Sequence, residues 1–149
     1  MKHILSFVFA VFTASAALAQ QDGGAGLDGM IVKADEINLY ELKWVKRPLV
    51  VFADTPNDPR FIEQMEYIEG RISALDALDV IVITDTDPAA QTDIRRKLRP
   101  RGFGLVGIAK DGSIFLRKPA PWHVREIMRS IDKLPARQRE LREGSVGDS

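Results

Sequence analysis

Two stretches of the chain are apolar without alternation: Leu49-Val50-Val51-Phe52-Ala53, and Leu78 to Thr84 with Val80-Ile81-Val82-Ile83 at its heart. Rich in β-branched residues, both suit strands buried on two faces. Between them Phe61, Met65, Ile68, Ile72 and Leu75 recur at steps of three and four, with Ile62 widening the stripe, which predicts one buried helix face. Asp58-Pro59 supplies its cap and its first-turn proline. Glu63, Glu66 and Glu69 fall on the opposite side and read as a solvated face. Asp87-Pro88 repeats the cap signature, and Ala90, Ile94 and Leu98 predict a second helix that ends before Pro100. Phe103 to Ala109 and Ser113 to Arg117 then read as strands joined by Lys110-Asp111-Gly112, a strong hairpin signal. After Pro119-Ala120-Pro121, the positions Val124, Ile127, Met128, Ile131 and Leu134 predict a third helix, which Pro135 ends. Ahead of the first strand, Ile37, Tyr40, Leu42 and Trp44 predict a short amphipathic turn capped by Asp35 and broken at Arg47-Pro48, with Trp44 packed in the core.

The order is a βαβ half joined through a helix to a ββα half. The right-handed crossover makes the first two strands parallel, and the hairpin makes the last two antiparallel. The arrangement that keeps helices on both faces is an α/β, thioredoxin-like fold with a central mixed four-stranded sheet. A flavodoxin-like sheet would need the hairpin strands parallel, which Asp111-Gly112 opposes. In a thioredoxin-like fold the junction after Phe52 is where enzymes place a cysteine, because a helix N-terminus stabilises a thiolate. None of the 149 residues is cysteine, so thiol–disulfide and cysteine-peroxidase chemistry, and disulfides, are excluded.

Residues 1–19 stand apart. Lys2-His3 precedes an apolar run from Ile4 to Ala17, and Ala17-Leu18-Ala19 is a cleavage pattern, so a signal peptide cut after Ala19 is expected. The run is shorter than the about 20 apolar residues a spanning helix needs. This predicts a periplasmic or secreted protein with no membrane attachment after cleavage, and the lack of cysteine excludes a lipoprotein. Residues 20–33 read as a flexible lead-in, 34–143 as one domain, and 144–149 as a disordered tail beyond a charged helical extension. Zero formal net charge gives no sign of nucleic-acid binding.

Three separated segments carry a resemblance: Arg47 to Ala53 followed by Asp58-Pro59-Arg60; Phe103 to Gly112; and Ile131 to Glu140, with its Pro-x-Arg-x-Arg-Glu ending. Together they resemble the bacterial secreted family catalogued as domain of unknown function forty-one seventy-four, and are similar to the domain repeated in vertebrate matrix proteins such as Equarin. The resemblance runs from about Leu42 to Arg142 and implies a thioredoxin-like fold and export, with no catalytic residue and no cofactor.

Two candidate surfaces follow. Thr55, Asn57, Asp58 and Arg60 surround a helix N-terminus, where free N–H groups attract anions, and Gly102 and Phe103 are expected to face them; the plainer reading is a cap and a turn. Arg117, Arg137, Arg139 and Glu140 form either a partner-binding strip or surface ion pairs with Asp132 and Glu126. The basic run Arg95, Arg96, Lys97, Arg99, Arg101 is either dipole compensation or an anion patch. His123, the one histidine outside the leader, has no nucleophile or orienting partner nearby in sequence and reads as a surface residue; no metal site assembles on spacing. The expectation is a non-catalytic binding module whose partner is a protein or a small anionic ligand. The alternatives are a cysteine-free enzyme acting on an anionic small molecule at Thr55, Asn57 and Arg60, and a structural envelope protein.

Overall fold

A computed structural model describes residues 29–146; the expected signal peptide, most of the lead-in and residues 147–149 lie outside the described residues. The elements are β1 (Ile31–Lys33), α1 (Leu39–Leu42), β2 (Arg47–Phe52), α2 (Pro59–Glu69), α3 (Ile72–Asp76), β3 (Val80–Asp85), a 3₁₀ turn (Pro88–Ala90), α4 (Asp93–Leu98), β4 (Gly104–Ile108), β5 (Ile114–Lys118), α5 (Val124–Asp132) and α6 (Pro135–Val146). They build a sheet in the order β1-β3-β2-β4-β5, with β1, β3 and β2 parallel and β4 antiparallel to both its neighbours. Every residue of β2 is buried, as expected of the middle strand.

Alternation along these strands divides the core in two. Leu49, Val51, Val80, Val82, Leu105 and Leu116 meet Ile68, Ile72 and Leu75 of α2 and α3 and Ile127 and Ile131 of α5. Val50, Phe52, Ile81, Ile83, Val106 and Ile108 turn the other way, toward Leu42 of α1 and Ile94 and Leu98 of α4. Gly112, at φ +88°, closes the β4–β5 turn, with Ala109 N donating to Ser113 O at 2.8 Å.

The structure departs from the sequence reading where backbone breaks interrupt apolar periodicity. Ile31–Lys33, expected in the flexible lead-in, pair with Val82 to Thr84 as a fifth strand. The single stripe from Phe61 to Leu75 belongs to two helices, because Arg71 at φ −139° interrupts it, and Ile62 is exposed. Asp87-Pro88 starts the 3₁₀ turn alone; Gln91 enters the left-handed region, and Thr92 caps α4 by accepting from Arg95 N at 3.0 Å. Asn38, not Asp35, caps α1, accepting from Tyr40 N at 2.9 Å. Pro135, expected to end the third helix, also opens α6, the expected helical extension, since proline fits a first helical position as well as it ends a helix. Residues 144–146, expected in a disordered tail, complete α6.

Gln64 shows what a helical hydrophobicity pattern misses. Fully buried, it donates Nε2 to Trp122 O at 3.0 Å and accepts from Trp122 N at 2.7 Å, fastening α2 to the link before α5.

Ile127→Ala is expected to cost about 2–5 kcal/mol and Ile62→Ala no more than about 0.5 kcal/mol, read from urea unfolding midpoints.

Candidate functional site

The end of the sheet at the start of α2 is satisfied from within the chain. Thr55 Oγ1 accepts from Asn57 N at 3.3 Å, and Thr55 O accepts from Asp58 N at 3.2 Å, so these residues close a turn on themselves. Asp58 caps α2, accepting from Arg60 N at 2.9 Å, and the same carboxylate takes both prongs of Arg60: Nε at 3.1 Å and Nη2 at 2.8 Å. That fork holds the Asp58 carboxyl below its ordinary range. Arg60 also stands 5.7 Å over the Phe103 ring, and a Cβ at Gly102 (φ +64°) would come within 4.0 Å of Arg60 Nη2. Arg60, Gly102 and Phe103 therefore meet, as expected of facing groups, but the charge offered to an anion already has its counter-ion.

Behind this end lies a buried pair that sequence reasoning missed. Arg95 donates Nε and Nη2 to Asp85 Oδ1 at 3.0 and 2.8 Å, and Nη2 also reaches Ala53 O and Asp85 O, each at 3.1 Å. Its guanidinium lies 5.4 Å from the Phe52 ring, and Thr92 Oγ1 donates to Asp85 Oδ2 at 2.6 Å. Arg95 thus leaves the expected solvent-facing basic run and ties α4 to the C-terminal ends of β2 and β3. A hollow of about 580 Å³ beside it is lined by Asp54, Pro88, Gln91, Arg95, Arg96, Arg99 and Pro100, and takes in none of Thr55, Asn57 or Arg60.

The four residues of the second surface separate. Arg117 donates to Leu98 O at 3.1 Å, closing the last turn of α4. Arg137 and Glu140 join a cluster at the opposite end of β2. Glu140 Oε1 accepts from Arg47 Nη2 at 2.7 Å and Lys110 Nζ at 3.0 Å, while Oε2 accepts from Arg137 Nη1 at 3.3 Å. Arg47 is 1% exposed and also donates Nη1 to Leu78 O at 2.7 Å; its Nε has no partner among the described residues. Lys110 continues the network to Asp79 at 2.7 Å. Arg137 Nε lies 3.6 Å from Asp132, whereas Glu126 pairs with Arg129. Arg139 is exposed and makes no ion pair among the described residues.

Partial burial pushes the Glu140 carboxyl up; hydrogen bonds from Lys110 and Arg47, the field of Arg47 and the bond from Arg137 outweigh it and hold the group below the usual range. His123 is exposed, its ring lies 4.3 Å from that of Tyr67 between centroids, and its carbonyl accepts from Glu126 N and Ile127 N at the start of α5. Among the described residues no group of three or more His, Cys, Asp or Glu is placed to hold a metal ion, and no helix is long and apolar enough to cross a membrane.

A different surface is open. Trp44, expected in the core, is 66% exposed and sits at φ +67°, rare for a non-glycine residue, with its N–H bonded to Lys110 O at 2.7 Å. This corner swings the chain from α1 into β2 and leaves Tyr40, Trp44, Val45 and Ile114 exposed. Two cavities flank α1. One, of about 310 Å³, has Leu39, Leu42, Pro48, Leu98, Ile108 and Ile114 in its wall and Lys43, Lys46 and Lys97 around it. The other, of about 360 Å³, shares Leu39, Tyr40 and Lys97 and extends along α4 to Thr92. The available signal was lysine spacing: Lys43 and Lys46 bracket Trp44 beyond a helix of four residues, too short to bury its aromatics.

The family profile "Domain of unknown function (DUF4174)" matches residues 38–140. Among solved structures the chain is similar to thioredoxin peroxidase I of Plasmodium yoelii, at 16% identity and TM-score 0.50, covering 69% of this chain and 80% of that one. It is also similar to the mitochondrial 2-Cys peroxiredoxin of Plasmodium falciparum, at 18% identity and TM-score 0.45, covering 64% and 79%. No curated protein matches the sequence. The first likeness, with the topology above, makes the fold thioredoxin-like.

Two outcomes follow for the paired groups. Asp85→Ala strands a buried guanidinium and is expected to cost about 3–5 kcal/mol, much of which returns when Arg95→Met is added, in a chemical-denaturation cycle. A depressed carboxyl stabilises the fold above the unfolded-state pKa of about 4.3, and that contribution disappears as pH falls through the folded-state value. Glu140→Gln is therefore less stable than wild type at pH 7, and the gap between urea midpoints narrows below about pH 4.

Proposed function

Because this chain belongs to the family described as Domain of unknown function (DUF4174), and has a thioredoxin-like fold without cysteine, we propose that it is an exported, non-redox binding module whose ligand surface is the groove flanking α1. One contrast carries the reading. At the sheet end, where a thioredoxin-like enzyme keeps its thiol, Asp58 neutralises Arg60 and the loop bonds to itself. Along α1, by contrast, two cavities remain open, the smaller walled mainly by apolar side chains, beside three lysines that have no ion-pair partner among the described residues. Ligand sites are typically concave and mostly apolar with a few placed polar groups, and the 310 Å³ cavity has that composition.

Export is supported by the basic start, apolar run and Ala17-Leu18-Ala19 pattern of the leader. A cysteine-free enzyme acting on a small anion at Thr55, Asn57 and Arg60 has less support, since substrate would have to displace the Asp58 fork. Glu140 and Arg137 serve the fold through Arg47, while Arg117, bonded to Leu98 O, and Arg139 stay exposed.

Protein recovered from outside the cytoplasm is expected to begin at Gln20 by N-terminal sequencing, and the purified chain to leave insulin disulfides and hydrogen peroxide untouched. Measurable turnover of either would overturn the non-redox reading, and recovery only from the cytoplasm with Met1 intact would overturn export.

A further inference from the structure

We propose that the groove takes a small amphipathic anion, an aliphatic or aryl body ending in one carboxylate, with the body in the 310 Å³ cavity and the carboxylate among Lys43, Lys46 and Lys97. The inference rests on the reading of this groove as the ligand surface, and adds the chemistry of what enters it.

The cavity is at the small end of the range of about 300–1,000 Å³ that ligand sites occupy. Its wall is aliphatic, so the part of a ligand seated there is hydrocarbon: a buried polar group would find few partners. Charge around it is one-sided. Lys43, Lys46 and Lys97 form no ion pair among the described residues, whereas Lys110, on the neighbouring turn, holds both Asp79 and Glu140.

The one carboxylate in the lining is Asp111, and it is already engaged, accepting from Ser113 N at 2.9 Å and Ser113 Oγ at 2.6 Å. Those donors are neutral, so Asp111 keeps its charge and its field reaches Lys43; against that one carboxylate the lining holds three ammonium groups, and the rim is net positive. Lys46 is half-buried and forms no ion pair among the described residues, so an incoming carboxylate meets an ammonium without a bonded counter-ion. Lysine is a flexible point charge, unlike the planar fork of arginine, and three of them suit a single terminal carboxylate at the lip of an apolar hole. A neutral apolar ligand would leave those lysines unanswered. A small anion without a tail would gain only exposed ion pairs, which are worth little. The adjoining cavity, which shares Leu39, Tyr40 and Lys97, gives a longer body room on the far side of α1.

The test is calorimetric titration of the full chain with sodium octanoate, octanol and sodium acetate. Octanoate is expected to saturate, with octanol and acetate weaker by about tenfold or more. Lys46→Gln combined with Lys97→Gln, folded by far-ultraviolet dichroism, is expected to weaken octanoate by about tenfold and leave octanol unchanged. Arg60→Gln is expected to change nothing. Octanol binding as tightly as octanoate overturns the anion assignment while the groove stands as a binding surface. Octanoate binding that survives the lysine double variant, or that is lost with Arg60→Gln, overturns the location. No saturable heat with octanoate or octanol overturns both the ligand class and the groove.

Discussion

A guanidinium keeps its proton under any condition a folded protein meets, so burying one obliges the chain to bring it a carboxylate and carbonyls. This chain meets that obligation twice, at opposite ends of one strand. Arg47 begins β2 and is answered by Glu140 of α6 and the carbonyl of Leu78. Arg95 packs beyond the other end and is answered by Asp85 and by the carbonyl of Ala53. Hydrophobic burial explains why β2 lies at the centre, but the paired charges fix what is attached to its two ends. With Glu140 so far along the chain, the first pair also fixes α6, a helix with little apolar surface of its own, to the sheet.

That constraint bears on function through what it leaves free. The carbonyls of Ala53 and Asp85 and the Asp85 carboxylate, at the C-terminal ends of β2 and β3, are committed to Arg95, and the start of α2 is committed to its own Asp58 and Arg60. An arrangement so internally matched offers a solute few unmet partners. Open valence lies to one side, where the left-handed corner at Trp44 turns the chain from a short helix into β2 and Lys43 and Lys46 form no ion pair among the described residues.

The fold was legible because it rests on patterns visible one residue at a time: unbroken β-branched runs for the central strands, Asp-Gly for the hairpin, helical spacing for α5. β1 was not legible, since a strand of three residues carries too little periodicity and is defined by its partner. The buried arginines were not legible either. Arg47 beside Pro48 looks like punctuation, and Arg95 inside a basic run looks like solvated surface; only the positions of Glu140 and Asp85 reveal otherwise. The same holds for Trp44, whose exposure follows from a backbone angle that composition does not encode. Of the anticipated site, Arg60, Gly102 and Phe103 do come together at the end of the sheet, but Asp58 is the counter-ion of Arg60, a pairing that neither the cap reading nor the anion-cleft reading contains.

The short first strand has a consequence for how molecules of this protein behave in a crowd. A parallel sheet ending at β3 would present a largely apolar six-residue strand as a template for another chain, and the three residues of β1 cover Val82 to Thr84 of that rim. The opposite margin, β5, is irregular where it leaves Ile108 and ends in Arg117-Lys118, features that discourage lateral addition of a foreign strand. Both borders are thus blunted against fibril growth, which matters for a protein without disulfides to hold it shut when it transiently opens.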